Sequence, residues 1–344
     1  MRVRVLTLIV VPALAIAALS AQSPQPYSAP RTPWGHPDLQ GNWNAATLTP
    51  LERPDNAQGR LSLTKEEAAA IERNERARVE ARARPSNPDR AAPVTGGAVG
   101  GYNNFWIDRG TSAFVVDGQH RTSIIVEPAD GKIPPMREDA RRRNAGRRGT
   151  VVLPTSDAPE SAGVEGPGAF DDPELRPLGE RCLLGFGSTS GPPTLPNYFY
   201  NNFKQIVQTP DAVMILIEMV HDARIIRLNG QHPPPSIRKW MGDSIGHFEG
   251  DTLVVETTNF TNKTRFRGSS ENMKVIERFK RVDAGTILYR FTIEDPSTWD
   301  QSWTGEYPWL ATSDKIYEYA CHEGNYALGD ILRGERVLDK EKQR

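Results

Sequence analysis

Four side chains able to hold or move charge, Glu218, His221, Asp222 and Arg224, fall close together in the chain. They interrupt AVMILIEMVHDARIIRL (212–228), a run otherwise dominated by β-branched and long apolar residues. Desolvating an unpaired ion costs several kcal/mol, so each must find a partner or lose its charge. A second concentration, YEYACHEGNY (317–326), carries Tyr319, His322 and Glu323 around Cys321. One imidazole from each run, His221 and His322, with Glu218, Glu318 or Glu323 nearby, is a set that can bind a divalent metal or do general acid/base work. Glu218, His221 and His322 are the candidate catalytic groups, and Arg224, Asp222, Tyr319 and Glu323 the binding or orienting ones. The competing reading is a structural polar network in which the same side chains only satisfy one another.

Strands must carry these residues. The β-branched content of 212–228 disfavours a helix, so a Glu-x-x-His pair sharing a helical face is not expected. Read as one strand with a period of two, the run places His221 on one face and Glu218, Asp222 and Arg224 on the other. Glu218 then pairs with Arg224 or with an arginine of a neighbouring strand, and His221 needs a partner from another strand. Residues 315–321 read as the last strand, with His322 and Glu323 where it gives way to Gly324. His232 and His247 are expected to be exposed.

From residue 101 onward the pattern is strands separated by turns. Residues 123–127 end at PADG, and 204–208 lead through TPD into the long run. Residues 245–248 meet 252–259 across EGD, and 274–281 meet 286–294 across VDAG. Sequential hairpins without long helices argue for a mainly β domain over 101–344, an antiparallel meander closed as a lipocalin-like barrel or folded as a sandwich. Residues 22–100 form an N-terminal extension. Within it, PWGHPDLQGNW (33–43) suits an irregular ordered segment, and Thr64 with Glu67 makes a capping box for a helix over 65–84. The arginine-rich REDARRRNAGRR (137–148) begins beside Glu138 and Asp139 and reads as a solvated segment.

Residues 1–21 have the form of a secretory signal peptide: Arg2 and Arg4, an apolar run, then Ser20 and Ala21. The apolar run, about 15 residues, falls short of the roughly 20 that span a bilayer. A periplasmic or secreted location follows, with no membrane span after cleavage. An oxidising compartment allows the two cysteines, Cys182 and Cys321, to pair. The formal charge of −1 gives no bulk attraction to nucleic acid. Glycine-rich 96–104 lacks the strand and helix of a phosphate cradle, and GFGSTSG (185–191) lacks the elbow of a serine hydrolase. No organic cofactor motif is present.

PWGHPDLQGNW, PDAVMILIEMVHDARII, WMGDSIGHFEGDTLVVETTNF, RFRGSSENMKVIERFKRVD and YEYACHEGNY resemble a functionally unassigned family of secreted proteins from soil bacteria. The resemblance covers most of the mature chain and is consistent with export, but carries no catalytic residue and no substrate. The residues themselves point to an exported protein that holds a small organic molecule in a β-lined cavity, with acid/base or metal-assisted chemistry open to it. The alternative is a non-catalytic binding or envelope-associated module.

Overall fold

The computed structural model describes residues 27–85, 89, 91, 107–145, 172–176, 178–185, 191–197, 200–264 and 266–343. The expected leader, the glycine-rich 96–104 and most of 185–191 lie outside them. In chain order the first strands are β1 (Gly41–Asn44), β2 (Val115–Val116), β3 (Gln119–His120), β4 (Ile125–Glu127), β5 (Phe203–Gln208) and β6 (Ala212–Ile217). There follow β7 (Ala223–Leu228), β8 (Asp243–Glu249), β9 (Thr252–Thr258), β10 (Lys274–Asp283), β11 (Thr286–Glu294) and β12 (Trp303–Ala311). The helices are α1 (Lys65–Arg82), α2 (Glu138–Ala145) and α3 (Tyr326–Lys342).

Among the described residues, β1 and β5 to β12 pair in sequence, and β12 pairs back to β1, closing a nine-stranded barrel. The barrel alternative is therefore the one adopted, and the sandwich is not. β4 adds to β12, and β2 with β3 makes a separate ribbon. The meander expectation needs one correction: β7 and β8 are parallel, with Ile226 opposite Ser244 and Leu228 opposite Gly246. Their connection carries three consecutive prolines, 233–235, and returns the chain to the starting end instead of turning it back in a hairpin. Residues before 100 contribute β1, whose Trp43 is buried in the core.

The long run 212–228 is not one strand. It is the β6–β7 hairpin, in register from Ala212 opposite Arg227 to Leu216 opposite Ala223. Val220 and His221 take φ of 59° and 46°, the left-handed region that non-glycine residues seldom enter, and so reverse the chain at an apolar sequence without a turn signature. Glu218, His221 and Asp222 are turn residues, and the period-two assignment of faces does not apply to them.

Alternation does hold elsewhere. Each strand of the β8–β9 and β10–β11 hairpins lies where its apolar rhythm puts it, and in β11 Ile287, Tyr289, Phe291 and Ile293 all point inward and are fully buried. Aromatic rings fill much of the barrel: Tyr289 lies 5.0 Å from Trp309, and Trp303 meets Phe291 edge-on at 5.9 Å. Gly305 admits this packing, since a Cβ there would lie 2.5 Å from the Phe291 ring. Residues 191–197 are buried too, and Tyr307 Oη donates to the Thr194 carbonyl at 2.8 Å while Thr194 N–H donates to Tyr289 Oη at 3.0 Å. One segment of the chain thus occupies space that an open calyx would offer to a ligand.

β12 had no sequence signature because Gly305 and Pro308 interrupt it. The Glu306 N–H donates to Ile124 on the β4 side. Pro308, two residues on, faces the same edge, past the β4 pairing at Gly305 and short of the β1 pairing at Leu310. Its missing N–H therefore leaves no ladder bond unmade.

The capping box at Thr64 forms as expected, and α1 ends at Arg82. Glu138–Ala145 of the arginine-rich stretch form α2, with Ala140 buried and the arginines exposed and laced by Glu138 with Arg141 and Arg142 and by Asp139 with Arg143. Residues 315–321 are not a strand: they run irregularly into a turn, and α3 follows despite Gly329 and Gly334. No helix among the described residues is long and apolar enough to cross a membrane.

Candidate functional site

The two sequence concentrations do meet, but chiefly through the backbone. Glu218, buried at the tip of β6, accepts from the Tyr317 N–H through Oε1 at 3.1 Å and from the Phe203 N–H through Oε2 at 3.4 Å. His221 is exposed, and its Nδ1 lies 3.1 Å from the Tyr319 carbonyl oxygen. The Tyr319 ring packs against the core and stacks on Tyr200 at 6.4 Å. His322 and Glu323 are exposed in the turn after Cys321, which is bonded to Cys182. That disulfide closes a loop spanning 139 residues and fixes the C-terminal turn to the segment preceding the buried 191–197. Among the described residues no group of three or more His, Cys, Asp or Glu is arranged to hold a metal ion.

Arg224 is the correction of most consequence. Its partner is Glu277 of β10, not Glu218: Nη1 and Nη2 donate to Oε2 and Oε1 at 2.5 and 3.0 Å. Tyr289 Oη donates to the same Oε1 at 2.8 Å. Arg224, Glu277 and Tyr289 are all buried, and the bidentate geometry with a third donor satisfies most of the carboxylate. Burial alone would favour loss of the guanidinium proton, but Glu277 outweighs it and holds Arg224 charged. Burial raises the Tyr289 phenol well above its ordinary value, so it stays a donor. The Arg224 Nε–H has no hydrogen-bond partner.

Lys204 lies on β5, opposite Ile217, and is fully buried in the same interior. Its Nζ has no hydrogen-bond partner. Desolvation lowers its pKa to about 7, although Glu218 and Asp222 act through space in the other direction. A buried amine near neutrality is a recurrent feature of sites that transfer protons. Sequence reading passed over Lys204, Glu277 and Tyr289. A usable signal existed in β10 and β11, where Glu277 and Tyr289 are polar residues at inward positions among apolar ones; in β5 Lys204 shares the inward face with Gln208.

A cleft of about 450 Å³ opens where β7 separates from the start of β8. Parallel pairing begins only at Ile226, so among the described residues the first half of β7 pairs with no strand on that side. Asp222, Arg224, Arg227, Lys239, Trp240 and Asp243 line it. Asp243 is buried and accepts from Arg227 at 2.7 and 3.1 Å and from Lys239 at 2.9 Å, with His232 Nδ1 3.1 Å away. His232 is therefore partly enclosed, contrary to its expected exposure, because Asp243 draws it in; His247 is exposed beside Glu249 as expected. Burial opposes ionisation of Asp243, but those three partners prevail and hold its carboxyl well below the usual range.

The cleft thus gathers two of the expected residues, Asp222 and Arg224, and leaves His221 and His322 outside. It presents fixed charge, an aromatic wall and a buried donor with its hydrogen bond unmade. Comparison of the chain with protein-family models, curated proteins and solved structures finds no match.

Proposed function

We propose that this is an exported small-molecule-binding protein that takes a polar organic molecule in the cleft between β7 and β8. The observation that carries the reading is Arg224, a lining residue of the cleft whose buried Nε–H has no hydrogen-bond partner among the described residues while Glu277 holds the rest of the guanidinium rigid. Leaving a buried donor unmade costs about 1–3 kcal/mol, which an acceptor would recover once a bound molecule displaced the atoms that cover it. A cleft of about 450 Å³ is within the range of small-ligand sites. Arg227 and Lys239, both shared with Asp243, favour a molecule bearing a carboxylate or another anionic acceptor. The Cys182–Cys321 disulfide supports an oxidising compartment.

Lys204 lies outside the cleft lining and is coupled to it through the charge of Asp222. Asp222 both lines the cleft and acts electrostatically on the Lys204 amine, so a ligand that changes the charge at Asp222 changes the proton affinity behind it.

The test is a ligand-observed NMR screen of anionic, neutral and cationic organic fragments against the wild type and Ala223→Trp. Ala223 is exposed at the cleft, so the indole fills the space without entering the core. Anionic hits on the wild type that disappear in the variant, with its melting temperature kept, are the expected result. A set of hits left unchanged by Ala223→Trp, or no hits on the wild type, removes the reading.

A further inference from the structure

A second pocket, of about 370 Å³, lies under the first turns of α1. Pro50, Pro54, Ala57, Leu63, Ala70 and Ile71 give it an apolar lining. Arg121 also lines it, and that side chain is 8% exposed. The Arg121 Nε has no hydrogen-bond partner among the described residues. Its Nη2 comes no nearer than 3.6 Å to Asp117 and 3.7 Å to Glu306, beyond hydrogen-bond reach. Asp117 is exposed, so solvent screens it, and Glu306 is already bonded to Arg290 at 3.0 Å.

The other charges in the pocket cancel. Arg60 and Glu67 form a bidentate pair at 2.6 and 2.9 Å, and Glu67 also closes the capping box of α1. Arg121 is then the charge of this pocket that has ion-pair partners only at 3.6 and 3.7 Å and no hydrogen bond to either. A guanidinium so placed favours a planar anion that can take two of its N–H groups, and the lining favours an alkyl body behind it.

We propose that this pocket is a second ligand site, for a small aliphatic monocarboxylate whose carboxylate is held by Arg121 and whose chain lies beneath α1. It is independent of the β7–β8 cleft and of the function assigned to that cleft. Its probes are hexanoate and the neutral isostere 1-hexanol, titrated calorimetrically into the full protein. Hexanoate is expected to bind at least tenfold more tightly than hexanol, and Arg121→Gln to remove that preference. Arg121 is buried and its loss can compromise folding, so Ala70→Trp, which fills the pocket from the helix side, provides the second variant. In an Ala223→Trp background, which closes the β7–β8 cleft to carboxylates, it is expected to abolish hexanoate binding with the thermal transition intact, whereas Ala223→Trp alone leaves the binding at Arg121 unchanged. Equal affinity for acid and alcohol, no binding of hexanoate, or hexanoate binding that survives Ala70→Trp in the Ala223→Trp background overturns the proposal.

Discussion

Lys204 and Arg224 are both cations directed into one barrel from β5 and β7, yet their surroundings differ in kind. Arg224 has a bidentate carboxylate, and Tyr289 steadies that carboxylate from the far side. Lys204 has the through-space attraction of Glu218 and Asp222, and its Nζ has no hydrogen-bond partner among the described residues. The same desolvation therefore has opposite outcomes. Arg224 remains charged and becomes part of the architecture, whereas Lys204 is left able to exchange its proton near neutral pH. A buried cation is structural or chemical according to what has been placed opposite it.

The largest effect that would break this contrast is removal of the Arg224 partner. Glu277→Gln leaves a buried guanidinium without its counter-charge and is expected to cost about 3–5 kcal/mol in urea unfolding. A cost below about 1 kcal/mol would mean that Arg224 is no better held than Lys204.

Lys204→Met should act in the other direction, stabilising the fold at pH 7 by about 1–2 kcal/mol, because Glu218 keeps its two backbone donors and no cation need be buried. The pH dependence has a definite sign. The folded pKa of about 7 lies below the unfolded value of 10.5, so between them the unfolded chain binds more protons. Stability attributable to Lys204 therefore rises with pH across that window, while below about pH 7 its full cost persists. Unfolding of the wild type at pH 7, 8 and 9 should show this slope, and Lys204→Met should lose it. Parallel profiles for the two proteins would place the lysine with Arg224 as a satisfied charge.

The smallest effects belong to the histidines first expected to act. His221→Ala and His322→Ala alter exposed side chains and should each change stability by less than about 0.5 kcal/mol. Metal analysis of the purified wild type sharpens the point. A stoichiometric divalent ion lost on either substitution would return the site to the histidine pair and away from the barrel interior.

How much of this was legible depended on whether the controlling interaction was local. Tight hairpins write themselves into alternation and turn residues, so β8–β9 and β10–β11 could be placed from sequence, and Thr64 with Glu67 announces α1. The turn at Val220 and His221 carries no such mark, since tertiary contacts hold two non-glycine residues at positive φ. That one reversal decided the site: it put Glu218 and Arg224 in different surroundings and made their expected pairing fail. Lys204 was hidden for the opposite reason. An inward polar residue in an apolar strand looks like noise until the strand opposite is known to offer no partner. Arg224 was identifiable as a residue that needed a counter-ion, but Glu277 lies 53 positions away and only the closed sheet brings the two together.

The short β1 strand has a consequence for the order in which the molecule is assembled. Its four residues are among the first of the barrel to be synthesised, yet Gly41 pairs with Ile206 and Trp43 with Ala311. Contacts so distant in the chain are slow to form, because a long segment must lose its freedom before they are made. Until β12 exists, the growing sheet has no second edge to receive β1, and it remains an open ribbon liable to pair with another chain. Truncation before residue 311 would therefore cost the molecule its ring and not merely its last strand.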